Sequence, residues 1–89
     1  MNAGSPALAR GVRLRADPAH GQTVLLGLER VLVPDDVALA VLCRLDGNAD
    51  LDDLVRALEA DFEAPPGVIR RDTLELLERL TREGWVTWR

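Results

Sequence analysis

The chain has no lysine and no tyrosine, and only one cysteine, one histidine and one serine in its 89 residues. Each scarcity closes a class of chemistry. The lone Cys43 excludes an intramolecular disulfide and any cysteine-rich metal site. Its place in the apolar run Val37 to Leu45 reads as a small buried side chain. The one histidine, His20, sits in a turn between Pro18 and Gly21, and one imidazole with one buried thiol gives no zinc site. Ser5 stands in the N-terminal segment, so no serine triad can be assembled. No apolar run reaches the roughly 20 residues a bilayer crossing needs. The N-terminus also lacks the basic-then-apolar pattern of a secretory signal. Together these point to a soluble cytoplasmic protein, with no metal, no cofactor and no membrane partner.

Positive charge is scarce as well. The formal net charge is -4, which argues against binding a phosphate backbone and so against a nucleic-acid partner. All 11 basic residues are arginine, whose planar fork pairs with carboxylates in two-point fashion. The carboxylates have plain structural uses. Asp50, Asp52 and Asp53 lack the twelve-residue loop and terminal glutamate of a calcium site and read as a helix start. Gly27 and Gly47 are isolated turn glycines, not a phosphate-cradling loop. No residue is assigned a catalytic role, and the chain reads as a non-enzyme.

What is present is an ordered set of small elements in one domain. Residues 1–9 have little periodicity and read as a flexible arm, and 10–89 as a single domain. Val12-Arg13-Leu14-Arg15 alternates like a half-buried strand, and Asp17 to Gly21 is a turn cluster. Thr23 to Leu26 is a second strand. Gly27-Leu28-Glu29 allows a reversal into a third, Arg30 to Val33, which Pro34 stops. Three helices follow over about 35–46, 50–63 and 68–83. The first is apolar on every side except at Arg44 and reads as central. The fold class is α+β, an N-terminal three-stranded antiparallel sheet followed by a three-helix bundle. Trp85 to Trp88 reads as a short extended tail folded back onto the core.

Two features carry function. The strand Arg30-Val31-Leu32-Val33 has one charge, at its start, and an edge of that kind can accept an added peptide strand. The competing reading is that it pairs with the Trp85 to Trp88 tail or with a second copy of the chain. In the third helix Ile69, Thr73, Leu76, Leu77 and Leu80 share the core stripe, while Leu74 lies off it among Arg70, Arg71 and Glu78. A leucine so placed is either a docking point or a peripheral residue covered by the hairpin or the tail. Helices two and three have the layout of a helix-turn-helix pair. The charges of the second of them are balanced, which speaks against DNA reading.

The pieces also resemble a known family. Pro6-x-Leu8-x-Arg10-Gly11-Val12-Arg13-Leu14 resembles the opening of the PqqD proteins of pyrroloquinoline quinone (PQQ) biosynthesis. Val24-Leu25-Leu26-Gly27-Leu28-Glu29-Arg30 is similar to their apolar strand ending in glutamate. Ala40-Val41-Leu42-x-x-Leu45-Asp46-Gly47 is similar to their helix ending in Asp-Gly. Asp72, Leu76, Leu77 and Leu80 fall where that family has its last amphipathic helix. The chain departs from the pattern at Leu28, where the family often has proline, and at Asp72-Thr73, where it often has Asp-Val. The resemblance implies a winged helix-turn-helix-like peptide-recognition domain. Such a domain would grip the precursor peptide PqqA as an added strand and present it to the radical S-adenosylmethionine enzyme PqqE. Mapped here, it implies a site of Arg30, Val31, Leu32 and Val33 on the strand, with Arg70, Arg71, Leu74 and Glu78 on the helix. From the residues alone a winged-helix transcriptional regulator and a self-associating structural subunit stay open, as do a monomer and a homodimer.

Overall fold

Charged and apolar residues alternate through Arg13-Leu14-Arg15-Ala16-Asp17, so one face of that segment must be covered while the other stays wet. The computed structural model describes residues 4–89. Its elements are β1 (Pro6–Leu8), β2 (Arg13–Asp17), β3 (Gln22–Gly27), β4 (Arg30–Leu32), α1 (Asp36–Leu42), α2 (Leu51–Asp61), α3 (Val68–Arg82) and β5 (Val86–Trp88). β2, β3 and β4 form an antiparallel sheet in that order. Leu14, Leu25 and Leu32 are cross-strand neighbours and make one apolar row. Leu25 is fully buried, and the row meets Val41, Leu42, Leu54, Leu58, Leu77, Leu80 and Trp85 in a single core.

The strands do not form one sheet. β1 pairs antiparallel with β5 in a separate two-stranded sheet. Ser5 and Arg89 close it by exchanging two backbone hydrogen bonds of 2.8 Å. The flexible arm expected over residues 1–9 is therefore corrected at Pro6–Leu8, a paired strand in which Ala7 is buried. Residues 1–3 of that arm lie outside the described residues. The physical reason is long-range: the short run Pro6-Ala7-Leu8 has little to hold it locally, and its hydrogen-bond partner lies at the other end of the sequence. The edge strand Arg30 to Leu32 consequently has no partner in the tail, because the tail pairs with β1.

The helices follow their caps. Asp35 starts α1, its carboxylate accepting from the Ala38 N–H at 2.8 Å. This helix is shorter than the expected 35–46 and is not surrounded. Ala38, Val41 and Leu42 are buried, Val37 is exposed, and so is Cys43, expected to be buried. Seven residues give only one covered face. After the helix the Arg44 and Leu45 N–H groups turn back to the Val41 and Leu42 carbonyls, and the Asp46 carboxylate then gathers the N–H groups of Asn48 and Ala49 at 2.8 and 2.9 Å. α2 opens with a reciprocal capping box: the Asp53 N–H donates to Asp50, and the Asp50 N–H to Asp53. Leu54, Val55 and Leu58 form its buried face. α3 buries Thr73, Leu77 and Leu80.

Glu29, at the tip of the β3–β4 turn, has a φ of 59°, a left-handed conformation that costs an L-residue about 1–2 kcal/mol. Glu29→Gly should raise stability by about 0.5–1 kcal/mol, after the greater freedom of glycine in the unfolded chain is counted, as read by urea denaturation. Asp46 and Asp53 are held below the usual carboxylate range, Asp46 by the backbone N–H groups of Ala49 and Asn48, Asp53 by that of Asp50 and then by Arg56. A lowered folded-state pKa stabilises above the unfolded value and is lost as pH falls through the folded one. Acid unfolding of Asp46→Asn should therefore show a shallower pH dependence than that of the unaltered protein.

Candidate functional site

Among the described residues the sheet has two free edges, and they differ in chemistry. β2 carries Arg13, Arg15 and Asp17, charges of the kind that discourage another strand from adding. β4 has Arg30 and then only apolar residues. In an antiparallel pair, alternate residues bond to the neighbouring strand and those between turn their N–H and C=O outward, so β4 presents unpaired backbone groups along its open side. Its side chains divide by face. Leu32 packs on the core, while Val31 and, just beyond the strand, Val33 are 64% and 54% exposed. Val31 and Val33 line an open cleft on the outer sheet face with Arg15, Val24 and Leu26.

Arg30 is committed within the fold. Its Nη1 donates to the Glu83 carbonyl at 2.6 Å, and its guanidinium carbon lies 3.9 Å from the centre of the Trp85 ring. On α3, Arg70 is paired with Asp52 of α2, and Arg71 with its neighbour Asp72 at 3.3 Å. Both pairs are exposed, and exposed pairs contribute little, so an incoming carboxylate could exchange with either. Leu74 is 37% exposed and lines a cleft with Glu78, Thr81, Arg82 and Trp88. Trp88 is fixed there by an Nε1–H bond of 3.0 Å to Thr81 Oγ1, which in turn donates to the Leu77 carbonyl at 2.6 Å.

The sequence-derived residues thus fall into separate places. Val31 and Leu74 line different cavities, and the neighbour of Leu74 is the tail residue Trp88. The tail was one of the two covers the sequence left open for Leu74, and Trp88 is the residue that stands beside it. The signal was there: two tryptophans within four residues of a chain with no tyrosine and one phenylalanine mark the tail as a packing element. The other flank of α3 offers a second cleft, lined by Asp72, Glu75, Leu76 and Arg79 among others, although Leu76 read as plain core.

These features form hydrogen-bonding edges and open clefts, partly apolar beside Val31 and Leu74 and mostly charged beside Leu76. Among the described residues no group of three or more His, Cys, Asp and Glu side chains converges as a metal site. No helix among them is long and apolar enough to cross a membrane. His20 pairs with Asp17 at 2.8 Å on the exposed β2–β3 turn.

Comparison with known proteins places the chain in a family. Residues 22–86 match the family described as "Coenzyme PQQ synthesis protein D (PqqD)". A protein of Rhizobium meliloti named "PqqA binding protein" is 43% identical over 74 residues, 83% of this chain and 76% of that one. One of the same name from Xanthomonas axonopodis pv. citri is 45% identical over 75 residues, 84% and 82% of the two chains. The solution structure of the PqqD part of Methylobacterium extorquens PqqCD, described as a functional and stand-alone recognition element for ribosomally synthesized and modified peptides, has a TM-score of 0.75 at 36% identity. It covers 92% of this chain and 87% of its own. The crystal structure of PqqD from Xanthomonas campestris has a TM-score of 0.57 at 41% identity, covering 93% and 92%. On its sequence and its fold alike, the chain belongs to the PqqD family.

Proposed function

We propose that this chain is a precursor-peptide chaperone of PQQ biosynthesis. It binds PqqA as a strand added to the open edge of β4 and presents it to the radical S-adenosylmethionine enzyme PqqE. It does no chemistry itself and holds no cofactor; the chemistry belongs to the enzyme, and the setting is the cytoplasm, where a ribosomal peptide is made. The observation that carries this reading is the contrast between the two sheet edges, charged along β2 and apolar along β4. The names and descriptions of the relatives support it. The β2–β3–β4 sheet acts as the wing of a winged helix-turn-helix, adapted here to a peptide; a net charge of -4 disfavours nucleic acid.

Strand addition supplies backbone hydrogen bonds worth about 0.5–1.5 kcal/mol net each. A disordered peptide must be ordered on binding, so the apolar contacts of Val31, Leu32 and Val33 have to contribute as well. On α3 two flanks can wall the site. One carries Leu74, Arg71 and Glu78, with Arg70 nearer the core; the other carries Leu76, Asp72 and Arg79. Two observations favour the second. Trp88 already stands against Leu74 on the first and narrows it. Glu83, which Arg30 reaches from β4, lies about 180° around the helix from Leu74 at roughly 100° per residue.

Titration with synthetic PqqA should give saturable one-to-one binding, with Kd on the order of micromolar or tighter. No heat at two temperatures, together with unmoved amide resonances in β4, would rule the reading out. Two variants, each first shown to be folded, then assign the wall. Arg79→Glu should weaken binding several-fold and Leu74→Asp should leave it within about twofold. Loss of binding in Leu74→Asp alone would place the peptide on the Trp88 side instead.

A further inference from the structure

We infer that Arg30 is a positioning residue of the peptide site: it clamps the edge strand β4 to the C-terminal end of α3, so that strand edge and helix wall hold a fixed spacing before the peptide arrives. The inference rests on the peptide reading above and concerns how that site is built.

Arg30 opens β4 directly after the turn at Leu28 and Glu29. Its guanidinium makes two contacts at once, donating to the Glu83 carbonyl and lying over the face of Trp85. Glu83 is the C-cap of α3, where carbonyls without helical partners carry partial negative charge, so a cation is favoured there. Trp85 is only 4% exposed, and its N–H donates to the Leu80 carbonyl at 2.9 Å. That bond is made by the backbone amide, so the chain carrying the ring is tied to α3 while burial holds the ring in place. Glycine is needed on both sides of this joint. A Cβ on Gly27, the cross-strand partner of Arg30, would come within 3.0 Å of the Trp85 ring. Gly84 lets the chain leave α3 at a φ of 84° beside the guanidinium.

Among the described residues, the Arg30–Glu83 bond is the one hydrogen bond between the β2–β3–β4 sheet and the helices. All other attachment of that sheet to the helices is apolar packing, which resists separation but tolerates sliding. A directional bond at the start of β4 fixes the spacing and angle between strand and helix end, which packing alone leaves free to slide. A site held in its bound geometry avoids the ordering cost of binding, so loss of the clamp should appear in affinity as well as in stability.

The test uses the full chain as Arg30→Ala and Arg30→Lys, each checked for folding by circular dichroism, and synthetic PqqA as the probe at low and high salt. Arg30→Ala should bind about tenfold more weakly, with the same loss at both salt concentrations. The amides of Val31, Leu32 and Gly84 should exchange faster in the free variant, with that of Leu25 unchanged. Arg30→Lys should recover part of the affinity, because its ammonium can donate to the same carbonyl; should Arg30→Ala fail to fold, the lysine variant decides on the same readouts. Unchanged affinity would overturn the clamp and leave the peptide reading standing. A loss that disappears at high salt would also overturn it, since that marks a direct ion pair with the peptide. If the unaltered protein does not bind the peptide, the peptide reading falls, and the clamp with it.

Discussion

The inner row Leu14, Leu25 and Leu32 must lie on the helical core, and the rest of the architecture answers to that requirement. A three-stranded sheet of this size cannot stand alone in water, so covering one face is the condition of its existence. Leu77 and Leu80 of α3 and Leu54 and Leu58 of α2 supply the cover. Once that face is fixed, the pleat decides everything else on the sheet. Val31 must point outward, Leu32 inward, and Arg30 back toward the end of α3. A slip of one residue would bury the wrong set, so the same burial that stabilises the sheet also fixes which side chains a partner meets.

A second consequence concerns edges. Closing the small core uses the two ends of the chain as a separate sheet, β1 with β5, and this leaves β2 and β4 each with an open side. The sequence treats them differently, with charges along β2 and almost none along β4. An apolar edge left open is a liability to a protein with nothing to bind, since strands of other copies can add to it. Its retention here agrees with a use for it.

Much of this was legible in the residues. The turn cluster Asp17 to Gly21 and the reversal at Leu28 and Glu29 marked the hairpins, and Asp35 and Asp50 marked the helix starts, because caps and turns are decided by neighbours in sequence. The off-core position of Leu74 came from helical periodicity alone. Three things were not legible. The pairing of Pro6–Leu8 with Val86–Trp88 joins the two ends of the chain, and no local pattern encodes a partner that far away. The exposure of Cys43 depended on how little of α1 its neighbours cover. Which of the two covers offered for Leu74, hairpin or tail, lies beside it depended on where the tail came to rest.

The sequence by itself determined the hairpin strands and three helices and their order, and the apolar character of one strand edge. Those properties reside in composition and in spacings of a few residues. Only the tertiary structure decided that the tail completes a second sheet and not the open edge, and that Arg30 belongs to the joint between β4 and α3. It also decided that Trp88 stands beside Leu74 on one flank of α3. Each of these depends on contacts between segments far apart in the chain, and those contacts are chosen by the burial of the whole core at once, not by any one stretch of it.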